Sequence, residues 1–292
     1  MTLLSKFDVK VQKGKAEEFR ELHHGKRILI LPNGWDVPSA RLFEDAGFPA
    51  IATSSAGMLV SLGYPDGEVM GRDGFVSAVG RIARVLGVPL SADVVAGFGK
   101  TTKEVLVTVK AILKTGAVGI NIEDFTHATK KLYPIERQVE NVKAIRKLGE
   151  TTGIPLVINA RTDALRYAEG DEGARLREAV RRATAYRDAG ADCVYPMGLV
   201  DAVSIANFVK ALDFPINVMV RKGLPSISEL QRLGVTRVSF GPSSSYAAMG
   251  QLKRAAKEVL EKGTYENLTE GAITFDELNA LAVPRTDSSE HR

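Results

Sequence analysis

Pro89-Leu90-Ser91-Ala92-Asp93-Val94-Val95-Ala96-Gly97-Phe98-Gly99 is an apolar run that ends in a carboxylate and a glycine-rich turn. A parallel barrel strand hands over to an active-site loop in this way. A carboxylate at the end of a buried strand needs a cation, an arginine or several donors to offset its desolvation. The alternative for Asp93 is a surface cap on the helix that begins near Thr101. The stretch decides the fold because the same unit recurs. Apolar runs closing in a polar group fall at 27–31, 50–53, 90–93, 119–123, 156–161, 193–196, 216–219 and 237–240. Between them the spacing predicts helices over 37–46, 103–114, 135–148, 174–189, 226–233 and 245–260.

This alternation in a chain of 292 residues predicts an α/β fold, a (β/α)₈ TIM barrel rather than an open doubly wound sheet. After the first strand the chain reads Pro32-Asn33-Gly34-Trp35-Asp36, which lacks the glycine spacing of a dinucleotide fingerprint. The whole of 1–292 reads as one barrel domain, with 1–26 as an N-terminal cover and 262–292 as a C-terminal helix and tail. Within the cover a short helix is expected over 15–23, closing the barrel bottom or meeting another subunit. His23 and His24 stand beside Lys26 and Arg27 and read as a solvated basic turn. The amphipathic segment 266–282, with Phe275, Leu278 and Leu281, has no strand left to cover. It is expected to pack on a neighbouring subunit, and the polar 286–292 tail is expected to be disordered.

Composition narrows the function. No apolar stretch approaches the roughly 20 residues that span a bilayer, and 1–8 lacks the core of a signal peptide. A cytoplasmic location without a membrane partner is expected. The net charge of +4 is scattered, which argues against a nucleic-acid partner and suits an acidic small molecule. The single cysteine, Cys193, sits in an apolar segment and reads as a small core hydrophobe.

In a barrel, every strand's C-terminal end opens on one face. That gathers Asn33, Trp35 and Asp36; Thr53, Ser54, Ser55 and Ala56; Asp66 on the following loop; and Asp93. It adds Glu123 with Asp124, Arg161 with Thr162 and Asp163, Tyr195 with Met197, Asn217, and 241–245. Asp66, Asp93 and Glu123 would form an oxygen-rich site of the kind Mg²⁺ uses while keeping several waters. Arg161 offers a planar fork for a carboxylate, or a structural ion pair with Glu123 or Asp163.

Several segments carry a family resemblance: 32–36, Gly47-Phe48-Pro49-Ala50-Ile51-Ala52-Thr53-Ser54-Ser55, Leu62-Gly63-Tyr64-Pro65-Asp66, 93–99, Gly119-Ile120-Asn121-Ile122-Glu123-Asp124 and Asn159-Ala160-Arg161-Thr162-Asp163-Ala164. Over 31–260 the chain resembles the isocitrate lyase and phosphoenolpyruvate mutase superfamily. The resemblance implies a (β/α)₈ barrel that assembles as a dimer or homotetramer, with a C-terminal helix swapped between subunits. It implies Mg²⁺ or Mn²⁺, a small oxo or hydroxy acid, and cleavage or formation of a C–C or P–C bond through an enolate. By the same resemblance Asp93 is the direct metal ligand, while Asp66 and Glu123 hold the metal through water. Those two acids and Arg161 form the catalytic set. Thr53, Ser54, the backbone N–H groups of Ser55 and Ala56, Asp93 and Arg161 bind substrate.

Two departures stand out. Val95 occupies the place of a second strand-three acid, and the loop 125–133 lacks both the lyase cysteine run and the mutase Lys-Thr-Asn run. His127 is the residue of that loop suited to proton transfer near neutrality. The expected activity is Mg²⁺-dependent C–C cleavage of a small 2-oxo- or 2-hydroxy-dicarboxylate by a lyase or hydrolase. The alternatives are a P–C bond enzyme, phosphonopyruvate hydrolase or phosphoenolpyruvate mutase, and a non-catalytic oxo-acid binder.

Overall fold

The computed structural model describes residues 9–284; the expectations for 1–8 and for 286–292 lie outside that span. Within it, eight parallel strands close into a barrel. They are β1 (Leu29–Leu31, continued by Asn33–Gly34), β2 (Ile51–Thr53), β3 (Leu90–Asp93), β4 (Gly119–Glu123), β5 (Val157–Thr162), β6 (Cys193–Pro196), β7 (Asn217–Met219) and β8 (Arg237–Ser239). β1 to β6 pair in chain order, and β8 pairs with both β1 and β7. A bridge from Val194 to Ile216 joins β6 to β7 and completes the ring. Pro32 has no N–H to give a ladder, so it splits β1. The first half faces β8 and the second half faces β2.

Alternate side chains of each strand point to opposite faces, and the sequence uses the two faces differently. On β4 and β5, Ile120, Ile122, Ile158 and Ala160 join the apolar core. Their neighbours Asn121, Asn159 and Arg161 line a cavity instead. β7 and β8 repeat the pattern, with Val218 and Val238 in the core and Asn217, Arg237 and Ser239 on the cavity. The core therefore lies between sheet and helices, and the polar positions are left to the interior.

Short-range chemistry starts the helices. Asp36 accepts from the Ser39 N–H at 2.8 Å as the cap of Val37–Asp45. Thr101 caps Thr102–Leu113 in a reciprocal box with Glu104, so Asp93 is not that helix's cap. The N-terminal helix, Val9–Glu21, starts earlier than the spacing suggests. It packs under the barrel: a Cβ on Gly119 would come within 2.5 Å of the Phe19 ring. Gln12 Nε2 donates to the carbonyls of Leu113 and Ala117 at 2.7 and 3.1 Å.

Two expectations are corrected. His23 is not in a solvated turn; only 1% exposed, it sits 2.8 Å from the Phe19 carbonyl through Nδ1, with its ring edge-on to Phe19. Burial of Phe19 one helical turn earlier draws it inward. Residues 266–282 form two short helices, Glu266–Thr269 and Phe275–Ala280, instead of one. Gly271, in the left-handed region at φ 69°, separates them.

Candidate active site

The cavity at the C-terminal mouth of the barrel holds about 340 Å³, the lower part of the range for small-molecule sites. One wall is built from β2 and β3. The Asp93 carboxylate accepts from the Ser55 N–H at 3.0 Å and from Asn121 Nδ2 at 2.8 Å. Its own N–H donates to Thr53 Oγ1 at 2.9 Å. Asn121 in turn accepts from Asn159 Nδ2 at 2.8 Å, so a lateral chain of bonds crosses from β2 to β5. Asp66 lies alongside, accepting from the Gly67 N–H at 2.9 Å and from the Ser55 hydroxyl at 3.4 Å. Burial, and then the charge of Asp93, push the Asp66 carboxyl above the usual carboxylate range.

The opposite wall is an ion-pair chain. Arg161 gives its Nε and Nη2 edge to Asp163 at 2.7 and 2.9 Å, and its Nη1 to Glu123 at 2.8 Å. The structural ion pair expected of Arg161 is thus present with both acids, and its Nε–Nη2 fork is taken by Asp163. Arg161 also lines the cavity. Glu123 lies just behind the wall, with its other oxygen 2.8 Å from His127 Nε2. Burial drives the Glu123 carboxyl upward while Arg161 and His127 draw it back. The hydrogen bond to Glu123 raises His127 against the opposing effect of burial. His127 can sit there because Gly67, at φ 117°, has no side chain; a Cβ would lie 3.1 Å from that of His127.

Behind this wall, Asp124 accepts from the Asp163 N–H at 2.9 Å, from Arg182 Nη1 at 3.0 Å and from the Tyr186 hydroxyl at 2.6 Å. Asp124 therefore anchors the wall to the helix Glu172–Asp188 and does not reach the cavity. Other rim candidates are also used internally. Asp36 is a helix cap, and Ser54 accepts from the Gly57 N–H at 3.3 Å as the cap of Ser55–Ser61. Asn33 accepts from the N–H groups of Phe240 and Gly241 at 2.8 Å each, tying β1 to the loop after β8. Thr53, Ser54, Ser55 and Ala56 all line the cavity. Among the described residues no three His, Cys, Asp or Glu side chains converge as a ready cation site.

Sequence reasoning missed the deeper lining. Ser91, Asn121, Asn159, Arg237 and Ser239 line the interior. A polar residue two before each strand-end group, as in Ser91-x-Asp93 or Asn159-x-Arg161, is the signal that could have found them. Arg166 and Tyr167, on the short helix Ala164–Tyr167, carry no such signal.

The phosphoenolpyruvate phosphomutase family model matches residues 19–260. The chain belongs to that family. With it comes membership of the isocitrate lyase/phosphoenolpyruvate mutase superfamily. The chain is 32% identical to 2-methylisocitrate lyase of Escherichia coli (strain K12), covering 82% of each chain. A lyase/mutase-type protein from Burkholderia cenocepacia J2315 shares 37% identity at a TM-score of 0.85, over 93% of this chain and 96% of that one. Oxaloacetate acetylhydrolase, solved with its product oxalate, shares 25% identity at a TM-score of 0.80, over 92% and 93%. In this family member the Arg161–Asp163 pair is the hinge of the wall. Asp163→Ala should destabilise the fold by about 1.5–3 kcal/mol, because Arg161 Nε and Nη2 lose their acceptor while Glu123 still holds Nη1. Urea unfolding checks this; an unchanged midpoint would remove the pair's structural role.

Proposed function

We propose that this chain is a Mg²⁺- or Mn²⁺-dependent enzyme that cleaves a C–C bond in a small 2-oxo- or 2-hydroxy-dicarboxylate, as a lyase or hydrolase acting in the cytoplasm. The observation that carries the reading is the pair Asp66 and Asp93, joined through Ser55 and facing Arg161 across a cavity sized for a small acid. The donors fit a hard divalent cation: burial and then the charge of Asp93 raise Asp66, and such an ion would offset both. Asp93 would hold it directly, with Asp66 and Glu123 acting through water. Bound there, the ion would supply positive charge to the C2 oxygen of the acid.

The chain's own groups do the rest. Arg161, fixed by two acids, is a preoriented cation for the substrate's carboxylate, with the Thr53 to Ala56 wall opposite. Asp93 already engages the Ser55 N–H, which leaves the Ala56 N–H, in the first turn of Ser55–Ser61, for the substrate's carboxylate. His127 holds a proton at Nε2 against Glu123 Oε1, at the mouth of the cavity.

No cysteine follows Glu123 in 125–133. Cleavage of isocitrate needs an acid placed to protonate the departing carbanion, and this loop offers none besides His127. Decarboxylation of oxaloacetate asks less, since its C2 carbonyl accepts the electrons released when the C3–C4 bond breaks; hydrolysis instead adds water at C2 and breaks C2–C3, with His127 as the loop group able to protonate the departing acetate carbon. Similarity to oxaloacetate acetylhydrolase supports this choice. A P–C bond enzyme is the second reading, favoured by the family model's own description.

With Mg²⁺ present, oxaloacetate should yield oxalate and acetate by hydrolysis, or pyruvate and CO₂ by decarboxylation, with phosphonopyruvate assayed beside it. Turnover of phosphonopyruvate alone would move the assignment to P–C chemistry. Isocitrate turnover with a kcat/KM of about 10⁴ M⁻¹s⁻¹ or more would contradict the reading.

We also propose a homo-oligomer, a dimer or tetramer, built on the chain's last helices and with their exchange between subunits. Leu260 is 87% exposed and Phe275 79%, and Leu252, Leu268 and Leu278 are exposed as well. Truncation after Lys262 should lower the mass seen by light scattering at micromolar concentration. A monomeric intact protein would overturn the assembly.

A further inference from the structure

Arg237 stands at the start of β8, opposite Asn217 of β7 in register, and its side chain runs along the barrel interior to the cavity. It is 2% exposed, yet among the described residues no carboxylate pairs with it. Its one hydrogen bond there is from Nη1 to His23 Nε2 at 3.3 Å, and its Nε has no acceptor. His23 cannot neutralise it. Nδ1 of His23 donates to the Phe19 carbonyl, which leaves Nε2 as a neutral acceptor, and burial followed by the charge of Arg237 holds the imidazole down at about 3.

A guanidinium has five N–H donors and keeps its charge when buried. Burying one with so few partners is costly, and the cost is tolerated where it serves a ligand. Asp93 is the cavity acid whose charge Arg237 senses. Any cation held by Asp93 would cancel that support and leave Arg237 more in need of an anion. Ser239, the next inward residue of β8, and Asn217 place neutral hydrogen-bonding groups beside it. The arrangement differs from Arg161, whose charge is balanced by Glu123 and Asp163.

We infer that Arg237 is a substrate-binding residue that receives the distal carboxylate of a dicarboxylate whose first carboxylate lies at Arg161. This rests on the dicarboxylate reading of the cavity and assigns the group that receives the second carboxylate. It makes the barrel floor, not the rim loops, the determinant of selectivity between mono- and dicarboxylates.

Calorimetric titration of the full chain in Mg²⁺ with malate and with lactate tests it, since the two share the 2-hydroxy carboxylate and differ in the distal one. Wild type should bind malate about tenfold or more tighter than lactate. Arg237→Met should abolish that preference while leaving lactate affinity unchanged, and Arg237→Lys should retain part of it. In the ligand-free state Arg237→Met should melt no lower than wild type, because it removes an unpaired buried charge. Malate preference that survives in Arg237→Met would overturn the inference, as would a marked fall in its ligand-free melting point, which would make Arg237 structural. If wild type binds neither acid, the reading of the cavity itself fails and the inference falls with it. Lactate binding without malate preference in wild type would sink the role of Arg237 alone.

Discussion

Closing eight parallel strands into a ring leaves each strand residue two directions, into the barrel or out toward the helices. Everything else in the molecule follows from how that choice is filled. The outward set, including Ile120, Ile122, Ile158, Val194, Val218 and Val238, meets the helices as one apolar core. The inward set, including Ser91, Asp93, Asn121, Asn159 and Arg161, is polar and faces the cavity. A slip of one residue in any strand would exchange the two sets, placing carboxylates against helices and isoleucines in the site. Stability and chemistry are therefore written on alternate residues of the same short segments.

Within the cavity the charges are ordered by what lies behind them. Arg161 is fixed by Glu123 and Asp163, and Asp163 is fixed through its N–H by Asp124, which Arg182 and Tyr186 hold from the helix Glu172–Asp188. This buried chain sets the guanidinium before any ligand arrives, which is how an electrostatic site avoids reorganising during binding. Across the cavity, Asp66 and Asp93 share Ser55 as a common donor and form no ion pair among the described residues. The two walls thus pair a cation neutralised by carboxylates with two acids held only by neutral donors, a division that suits the metal-bound carboxylate proposed for the cavity.

Strand positions and the rim acids were legible in the sequence because several apolar runs stop at the polar group that ends the strand, as at Thr53, Asp93 and Glu123. Family segments sharpened the same residues. Legibility fell where distant contacts decide the outcome. His23 reads as basic and solvated beside Lys26 and Arg27, but Phe19 and Arg237 bury it. The helix Arg72–Ala83 buries Phe75, Val79 and Ile82, yet Gly74 and Gly80 blur its pattern. Asp124 looks equivalent to Asp163 and Arg161 in the chain, and only its bonds to Arg182 and Tyr186 on the helix after β5 mark it as an anchor and not a cavity residue. Val95 shows the limit most sharply. Its departure from the family pattern is plain in the sequence, but its left-handed backbone at φ 54°, costly for a β-branched residue, emerges only in the fold.

The central claim is that Asp93 organises a metal and a small acid in this cavity, and calorimetric titration of Mg²⁺ together with oxalate tests it most directly. Wild type should bind oxalate only when Mg²⁺ is present, and Asp93→Ala should lose that Mg²⁺-dependent binding while keeping a cooperative unfolding transition. Unchanged binding of metal and oxalate by Asp93→Ala would contradict the claim.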